Sequence, residues 1–342
     1  MQQVKISRWL ASAVACVLFL AAGCAPPAKE VAKAEVELKE QIPPAAAEEA
    51  ATLALKFSPA DSTTYRVIAE AERSTKWEGA LPEEATFKGG RNHSRLEMTF
   101  TQEIQSVDDK GNAIAKITVK WLKYSSVVKD ESTFEFDSSN PEDPNHPLAK
   151  LIGQGYTIKI APTGEVIEVI DVKEAQVAVR KGSVVPRRAL RLLSTEAIKE
   201  RHGTLVLPGA DKNQLHTGDN WGSTKTFSFG MMGSESYEKV YTLNEIKDRG
   251  NRQVAIMAMK AIPASETAKE QAAMGFSESF DNTKTYTGEL ELDLTTGKIE
   301  KYLEELQSEW VIALPSAGQE ADKEPAVLTM SATHLYHLEK ID

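Results

Sequence analysis

Residues 95–104 read Arg95-Leu96-Glu97-Met98-Thr99-Phe100-Thr101-Gln102-Glu103-Ile104, and they indicate the architecture of the whole chain. Leu96, Met98, Phe100 and Ile104 fall on one face of an extended segment, because successive side chains of a strand point to opposite faces. The charged residues and threonines fall on the other face. A strand with one buried and one solvated face is typical of an antiparallel sheet.

Hairpins are predicted on the C-terminal side of this segment. Residues 108–112 are expected to form a turn, since their Gly and Asn tolerate positive φ, and the chain returns through alternating apolar residues at 115–121. A second hairpin is predicted at 156–169, around Pro162-Thr163-Gly164. Shorter strands are predicted at 53–57, 65–68 and 133–136.

Residues 171–203 interrupt the alternation and predict a helical segment. One helix is expected at 172–180. Pro186 favours the first turn of a second helix, whose apolar residues recur at helical spacing as far as Ile198. Gly203 is expected at the C′ position, just beyond the end of that helix.

Alternation resumes in the last third of the chain, where strands are predicted at 241–246, 254–256, 290–292, 298–300 and 327–338. These strands and their turns echo the earlier hairpins and favour a weak internal duplication. The alternative is that any two β-hairpins look alike at this level. We expect a mainly β (α+β) fold, with curved antiparallel sheets in two similar β-rich halves, 52–170 and 204–342, joined by the helical connector 171–203.

The N-terminus has the parts of an export signal. Lys5 and Arg8 provide a basic region, residues 9–20 are apolar, and Ala21-Ala22-Gly23 precede Cys24. Small residues before a cysteine resemble the lipobox of bacterial lipoproteins, although Leu20 lies one position earlier than usual. We therefore predict a signal peptide at 1–23 and a lipid on Cys24. The alternative is an ordinary secretory signal with an incidental cysteine.

Residues 24–51 are predicted to form a flexible tether, because they are rich in Ala, Pro and Glu and poor in aromatic residues. Ala25, rather than Asp, follows the cysteine. By the same resemblance to lipoproteins, this favours the outer membrane. The expected location is the cell envelope, with the globular part facing the periplasm.

The composition restricts the possible ligands. The formal net charge is −10, whereas a nucleic-acid-binding protein needs a basic surface, so no nucleic-acid partner is expected. The chain has two cysteines, Cys16 and Cys24, and neither lies in the predicted globular part. A disulfide or a cysteine metal site is therefore excluded there. No cofactor or metal is predicted.

A turn after the helical segment indicates a family. The run Thr217-Gly218-Asp219-Asn220-Trp221, together with residues 136–138, 161–166 and 241–243, resembles a family of uncharacterised bacterial lipoproteins. In that family a Gly-Asp-x-Trp step separates the central helical region from the second set of strands. The resemblance covers about residues 53–338 and implies an envelope β protein. It carries no established activity, so no catalytic residue can be transferred.

Catalytic and metal-binding motifs are absent from the sequence: no nucleophile elbow, zinc-protease helix, Walker loop or EF-hand spacing occurs. His334 and His337 are expected on opposite faces of one strand and therefore cannot share a metal. Asp137, Glu142, Asp143 and His146 are better interpreted as a solvated loop than as cation ligands. We expect no enzymatic activity and no catalytic residues.

Basic residues are concentrated in the helical segment of an otherwise acidic chain. Arg187, Arg188 and Arg191 are candidates for contact with lipid headgroups or an acidic partner, and the alternative is a solvated helix face. Trp221 is a further candidate, although a core position is favoured for it.

The leading hypothesis for function is a lipid-anchored, non-enzymatic binding or structural module with an envelope protein or an apolar ligand as partner. A first alternative is a carrier of an acyl or other apolar ligand, with Met231, Met232 and Phe276 lining a half-barrel cavity. A second alternative is a hydrolase whose residues come from distant strands.

Overall fold

The computed structural model describes residues 50–79, 89–140, 146–181, 187–203, 206–208, 214–229, 233–264, 280–314 and 326–341. These residues confirm the predicted mainly β fold, because a single antiparallel sheet of 12 strands contains most of them. In the described part of the segment between β6 and β7, the chain forms three short helices. The strands are β1 (Ser62–Glu78), β2 (Gly90–Val107), β3 (Ala113–Val128), β4 (Glu131–Asp137), β5 (Gly155–Ile160), β6 (Val166–Asp171), β7 (Asn220–Ser228), β8 (Ser234–Arg249), β9 (Arg252–Pro263), β10 (Phe280–Asp293), β11 (Lys298–Leu314) and β12 (Ala326–Lys340).

The first and last strands meet in the middle of the sheet. The strand order is β6-β5-β3-β2-β1-β12-β11-β10-β9-β8-β7, and β4 also pairs with β3. Tyr65 on β1 lies opposite Lys340 on β12, and Glu78 lies opposite Val327. The strands that precede the helices therefore form one side of the sheet, and those that follow form the other. The similarity of the two halves remains a prediction.

The alternation that predicted β2 corresponds to its burial. Leu96, Met98, Phe100 and Ile104 are buried, and their face of the sheet, called the inner face below, carries the core. β2 joins β3 through the predicted turn, where Gly111 has a φ of 78°. Bulges on both sides of residues 100–104 adjust the register against β3.

The sheet curls until strands that are not neighbours face each other. Lys225 on β7 contacts Glu304 on β11 at 2.6 Å, although β8, β9 and β10 lie between these strands in the sheet. Arg73 on β1 also donates a hydrogen bond to the carbonyl of Ser228 at the end of β7. The predicted curvature is therefore present, and the inner face lies inside the curl.

The helical segment contains α1 (Lys173–Arg180), α2 (Arg187–Leu192) and α3 (Thr195–His202). The prediction of a single helix after Pro186 is therefore wrong, because one helix ends at Leu192 and a second begins at Thr195. Ser194 explains the restart, since its side chain accepts a hydrogen bond from the Ala197 amide at 3.2 Å and caps α3. Gly203 follows α3 with a negative φ of −108°. Glycine fits here because a Cβ would lie 2.7 Å from the Lys199 carbonyl oxygen.

The strand predicted at 53–57 is also wrong. Leu53 and Leu55 are buried at alternate positions, as the pattern indicated. However, the amides of this segment bond to separate parts of the chain, Leu55 to Pro162 and Lys56 to Gly297, so no ladder forms. Alternating burial without a neighbouring strand produces the same sequence pattern as a true strand. Among the described residues, no helix has the length and apolar character needed to cross a membrane.

Candidate functional site

A cleft opens on the inner face, between strands β1–β3 and helices α2 and α3. It consists of an outer cavity of about 540 Å³ and an inner cavity of about 290 Å³. Ala71, Ser94, Tyr124 and Arg191 line both cavities, so the two are continuous. Small-molecule sites have comparable volumes, roughly 300–1,000 Å³.

Strand register makes the floor of this cleft progressively less polar. Inner-face residues of β1, β2 and β3 lie side by side in rows, because paired strands place partner residues on the same face. The outermost row contains a charged side chain and an amide, and the innermost row is fully apolar and buried. From the outer cavity to the core, the rows are Arg73–Asn92, Ala71–Ser94–Ser126, Ala69–Leu96–Tyr124 and Val67–Met98–Leu122.

Four arginines line the outer cavity: Arg73 on β1, and Arg187, Arg188 and Arg191 on α2. Arg191 Nη2 donates to the Tyr124 hydroxyl at 3.2 Å, and the Arg188 guanidinium carbon lies 4.2 Å from the Phe134 ring centroid.

These arginines lack acidic partners. In the part of the chain that the structure describes, none of them pairs with a carboxylate, and no carboxylate lines the outer cavity. Several other cations of the described residues do pair with a carboxylate, as in the contact of Lys159 with Asp108 at 2.8 Å. The outer cavity is therefore strongly electropositive.

The inner cavity ends at a buried carboxylate. Glu304 on β11 accepts bonds from Lys225 at 2.6 Å and from Lys239 at 3.1 Å. The hydroxyls of Tyr286 and Tyr302 also donate to this carboxylate. Burial alone would raise the pKa of Glu304, but the two lysines outweigh burial and hold the pKa at about 2.

The tyrosines of this network are held in their neutral form. Burial, reinforced by the charge of Glu304, raises the pKa of Tyr286 and of Tyr302 far above 10. A general acid or base works best with a pKa near the operating pH. Glu304 and its tyrosines have pKa values far from neutrality, so the cluster is suited to holding charge rather than to transferring protons.

A second buried pair extends the network along the inside of the curl. Glu235 on β8 accepts a hydrogen bond from Tyr237 at 2.9 Å and pairs with Lys284 on β10. Tyr237 also lies 3.4 Å from the Ser308 hydroxyl. Burial raises the pKa of Tyr237 as well.

The helices are attached to the sheet beside the cleft by one polar group of residues. Arg201 on α3 donates to the Tyr156 hydroxyl at 2.9 Å, and Tyr336 on β12 donates to the Arg201 carbonyl at 2.6 Å. His202 lies 2.7 Å from the same Tyr156 hydroxyl. Burial, and then the charge of Arg201, lower the pKa of His202 well below 6.5, so this imidazole is neutral.

His334 on β12 lies at the junction of the inner cavity and the buried network. Its ring packs 5.0 Å from the Phe227 ring, and its buried Nε2 has no hydrogen-bond partner among the described residues. Burial, followed by the charges of Arg73 and Lys225, lowers its pKa to about 4. Across the described residues, no group of three or more His, Cys, Asp and Glu side chains is placed to hold a metal ion.

The structure assigns different positions to the residues predicted from sequence. Arg187, Arg188 and Arg191 come together at the outer cavity. Trp221 is buried, stacks on Tyr241 at 5.4 Å and donates its indole N–H to the Val206 carbonyl. It does not line the cleft, so its favoured core position fits the geometry.

The remaining candidates divide between the core and residues outside the described ranges. His334 and His337 occupy opposite faces of β12, as expected from their spacing. His146 stacks on Phe134 and Phe136. Six candidates lie outside the described residues: Cys24, Glu142, Asp143, Met231, Met232 and Phe276.

Sequence reasoning missed Arg73 and the network around Glu304. A signal was present for the network, because Lys239 is in phase with Tyr237 and Tyr241, and Glu304 is in phase with Tyr302 and Leu306. A charged residue in the apolar phase of a strand indicates a buried ionic contact. Arg73 carries no comparable signal, since only the tertiary fold brings it to α2.

Comparisons with known proteins add little about function. No curated protein matches this chain. A solved structure described as "Lipid-protein interactions in lipovitellin" is similar over 84% of this chain, with 12% sequence identity and a TM-score of 0.36. This chain spans 26% of that protein's length. A family model matches residues 110–299, more than half of the chain, and the chain therefore belongs to DUF6263, a family of unknown function.

Proposed function

We propose that this protein is a non-enzymatic binding protein of the cell envelope, which holds an apolar or acyl ligand in the cleft. The observation that carries the proposal is the inner cavity of about 290 Å³, whose apolar wall includes Ala69, Leu96, Leu192 and Phe227. Ligand sites are typically clefts of about this size, lined mainly by apolar side chains with a few polar groups. A cavity of this size beside apolar side chains therefore favours a ligand-binding role over a purely structural one.

The burial of apolar surface supplies the binding free energy in this proposal. Each square ångström of apolar surface removed from water contributes roughly 25 cal/mol. Leu96 and Phe227 reach the cavity from different strands, and Leu192 reaches it from α2. An apolar ligand that lies between these side chains contacts both the sheet and helix α2.

The N-terminal sequence motivates the location. A lipid on Cys24 and a tether over residues 24–51 hold the globular part outside the cytoplasm, facing the periplasm, and the proposed site of attachment is the outer membrane. The absence of a catalytic group is also part of the proposal. The pKa of Glu304, about 2, supports it, because so weak a base accepts a proton poorly at neutral pH.

The proposal is tested with the full chain carrying Cys24→Ser, purified free of detergent and titrated with a fluorescent apolar probe. Ala71→Phe fills the junction of the two cavities and should abolish most of the probe binding. Thr287→Phe, on the exposed outer face of β10, is the matched control and should bind as the unsubstituted protein does. If the probe does not bind, and mass spectrometry detects no co-purified lipid, the proposal is wrong.

A further inference from the structure

The outer cavity carries more positive charge than an apolar ligand can use. We propose that the ligand is an amphiphile with a phosphate headgroup, whose phosphate binds Arg73, Arg187, Arg188 and Arg191 and whose apolar chain extends inward over Ala69 and Leu96. This inference rests on the proposed function of the cleft and names the chemical class of its ligand.

The first argument is the origin of the charge. Arg73 comes from β1 and the other arginines come from α2, more than 100 residues later, so the fold itself brings them to one cavity. Like charges gathered in one place repel each other, and this cluster contains no carboxylate among the described residues to offset the repulsion. A bound anion removes that repulsion. The protein as a whole has a formal net charge of −10, so a cavity lined by four arginines differs in sign from the chain around it.

The second argument is the type of residue. The guanidinium group is planar and presents paired N–H donors that match phosphate oxygens two at a time. A phosphate monoester carries about −1.5 to −2 charges at neutral pH, which suits several arginines better than a single carboxylate does. In the described residues, Arg187 makes no hydrogen bond or ion pair, so its donors are available.

The third argument is the direction of the polarity. The row that contains Arg73 also contains Asn92. Two rows further inward, the residues are Ala69 and Leu96. An amphiphile has the same order of groups, a polar head followed by an apolar chain. The charges at the inner end of the cleft already have partners within the protein. Glu304 contacts both Lys225 and Lys239. Glu70, which also lines the inner cavity, pairs with Arg95 at 2.5 Å.

The test compares ligands that differ in one part at a time. Decyl phosphate, decanoate, decyl maltoside and inorganic phosphate are titrated by calorimetry into the full chain carrying Cys24→Ser, below the concentrations at which the alkyl probes aggregate. Decyl phosphate should bind at least about tenfold tighter than each of the other three, because it alone has both the apolar chain and the dianionic head. Its affinity should also fall as salt is added.

The variants locate the headgroup. Arg73→Gln/Arg187→Gln should weaken the binding of decyl phosphate about tenfold or more and leave decyl maltoside unchanged. Arg187→Gln alone should show part of this effect, and it removes no contact with the described residues, so folding is preserved. Arg180→Gln is the matched control, because Arg180 is exposed on α1 and does not line the cleft.

Each other outcome separates this inference from the proposed function. Equal affinities for decyl phosphate and decyl maltoside, unchanged in the arginine variants, would overturn the phosphate headgroup and leave the apolar site intact. Decanoate binding as tightly as decyl phosphate would overturn the choice of phosphate. Inorganic phosphate binding as tightly as decyl phosphate would show that the alkyl chain of the ligand contributes nothing to affinity, and would overturn the amphiphile. If no alkyl probe binds, the proposed function is wrong as well.

Discussion

Lys239 Nζ lies 3.1 Å from Glu304 Oε2, and both side chains are almost completely buried, with 2% and 3% of their surface exposed. The two residues sit on β8 and β11, which face each other only because the sheet curls. Glu304 gains a second lysine, Lys225, from β7. This ionic group therefore connects three strands across the inside of the curl. Its contribution to stability measures how much these contacts hold the curled sheet together.

Lys239→Met should lower the free energy of unfolding by about 3 kcal/mol, because the buried Glu304 carboxylate loses one of its two lysine partners and keeps only the partly exposed Lys225 to offset its charge. Urea denaturation monitored by circular dichroism measures the change. Lys225→Met is the matched control and should cost less, since 23% of its side chain is exposed and water can replace it. A loss below about 1 kcal/mol for Lys239→Met would show that the pair does not stabilise the curl.

The stability of the protein should fall as the pH drops from 6.5 toward 4, in part through His334. Burial and neighbouring cations lower the folded-state pKa of His334 from 6.5 to about 4. Between these values the unfolded chain binds more protons than the folded chain, so acid favours unfolding. His334→Phe should remove at most about 3 kcal/mol of this pH dependence.

The measurement for His334 is the free energy of unfolding at pH 8, 6 and 4.5 in both proteins. At pH 8 the imidazole is neutral in both states, so the comparison there isolates the packing effect of the substitution. A remaining slope in His334→Phe is expected from His202, whose pKa is lowered as well. Identical slopes in the two proteins would contradict the assignment to His334.

Gly288→Ala should destabilise the protein by about 1–3 kcal/mol, because the new methyl group has no space. A Cβ at this position of β10 would lie 2.6 Å from the Leu303 carbonyl oxygen and 3.1 Å from Met259 Cε. Thermal unfolding measures the loss. Gly222→Ala on β7 is the matched control, since its nearest contact would be 3.4 Å away. Equal melting temperatures for the two variants would contradict the steric argument.

Cys24→Ser should move the protein from the membrane fraction to the soluble fraction, because the proposed lipid can no longer be attached. Fractionation followed by immunoblotting measures the distribution, and labelling with a fatty-acid probe measures the modification itself. Cys16→Ser is the control and should leave the protein in the membrane fraction. A Cys24→Ser protein that keeps its membrane location after signal cleavage would show that the anchor is not a lipid on this residue.

The local sequence pattern of alternating apolar residues and turn residues was sufficient to predict most of the strands. The alternation around Phe100, the turn at Gly111 and the hairpin around Gly164 depend on side chains a few residues apart, and the structure contains all three. Leu53 and Leu55 show where this reasoning fails, since alternate burial does not require a neighbouring strand. The restart of the helix at Ser194 was also missed, because a cap is a local hydrogen bond that apolar spacing does not record.

The cleft depends on contacts that no local pattern contains. The helical arginines were identified as a basic segment, but Arg73 joins them only after β1 and α2 are packed on one face. The curl that brings Lys225 to Glu304 is equally non-local, because it results from the cumulative twist of the intervening strands. Sequence therefore indicated the elements and the unusual charge, and tertiary packing determined which residues meet.

The central position of β1 and β12 has a consequence for how the chain reaches its folded state. Ser74 and Ser331 hydrogen-bond across these strands although 257 residues separate them in the chain. Closing such a long loop is slow, so the hairpins on either side are expected to form first. Until β12 arrives, one edge of β1 is open to pairing with another chain. A polypeptide that emerges N-terminus first must keep that edge protected through nearly its entire synthesis, and a holding chaperone would provide that protection.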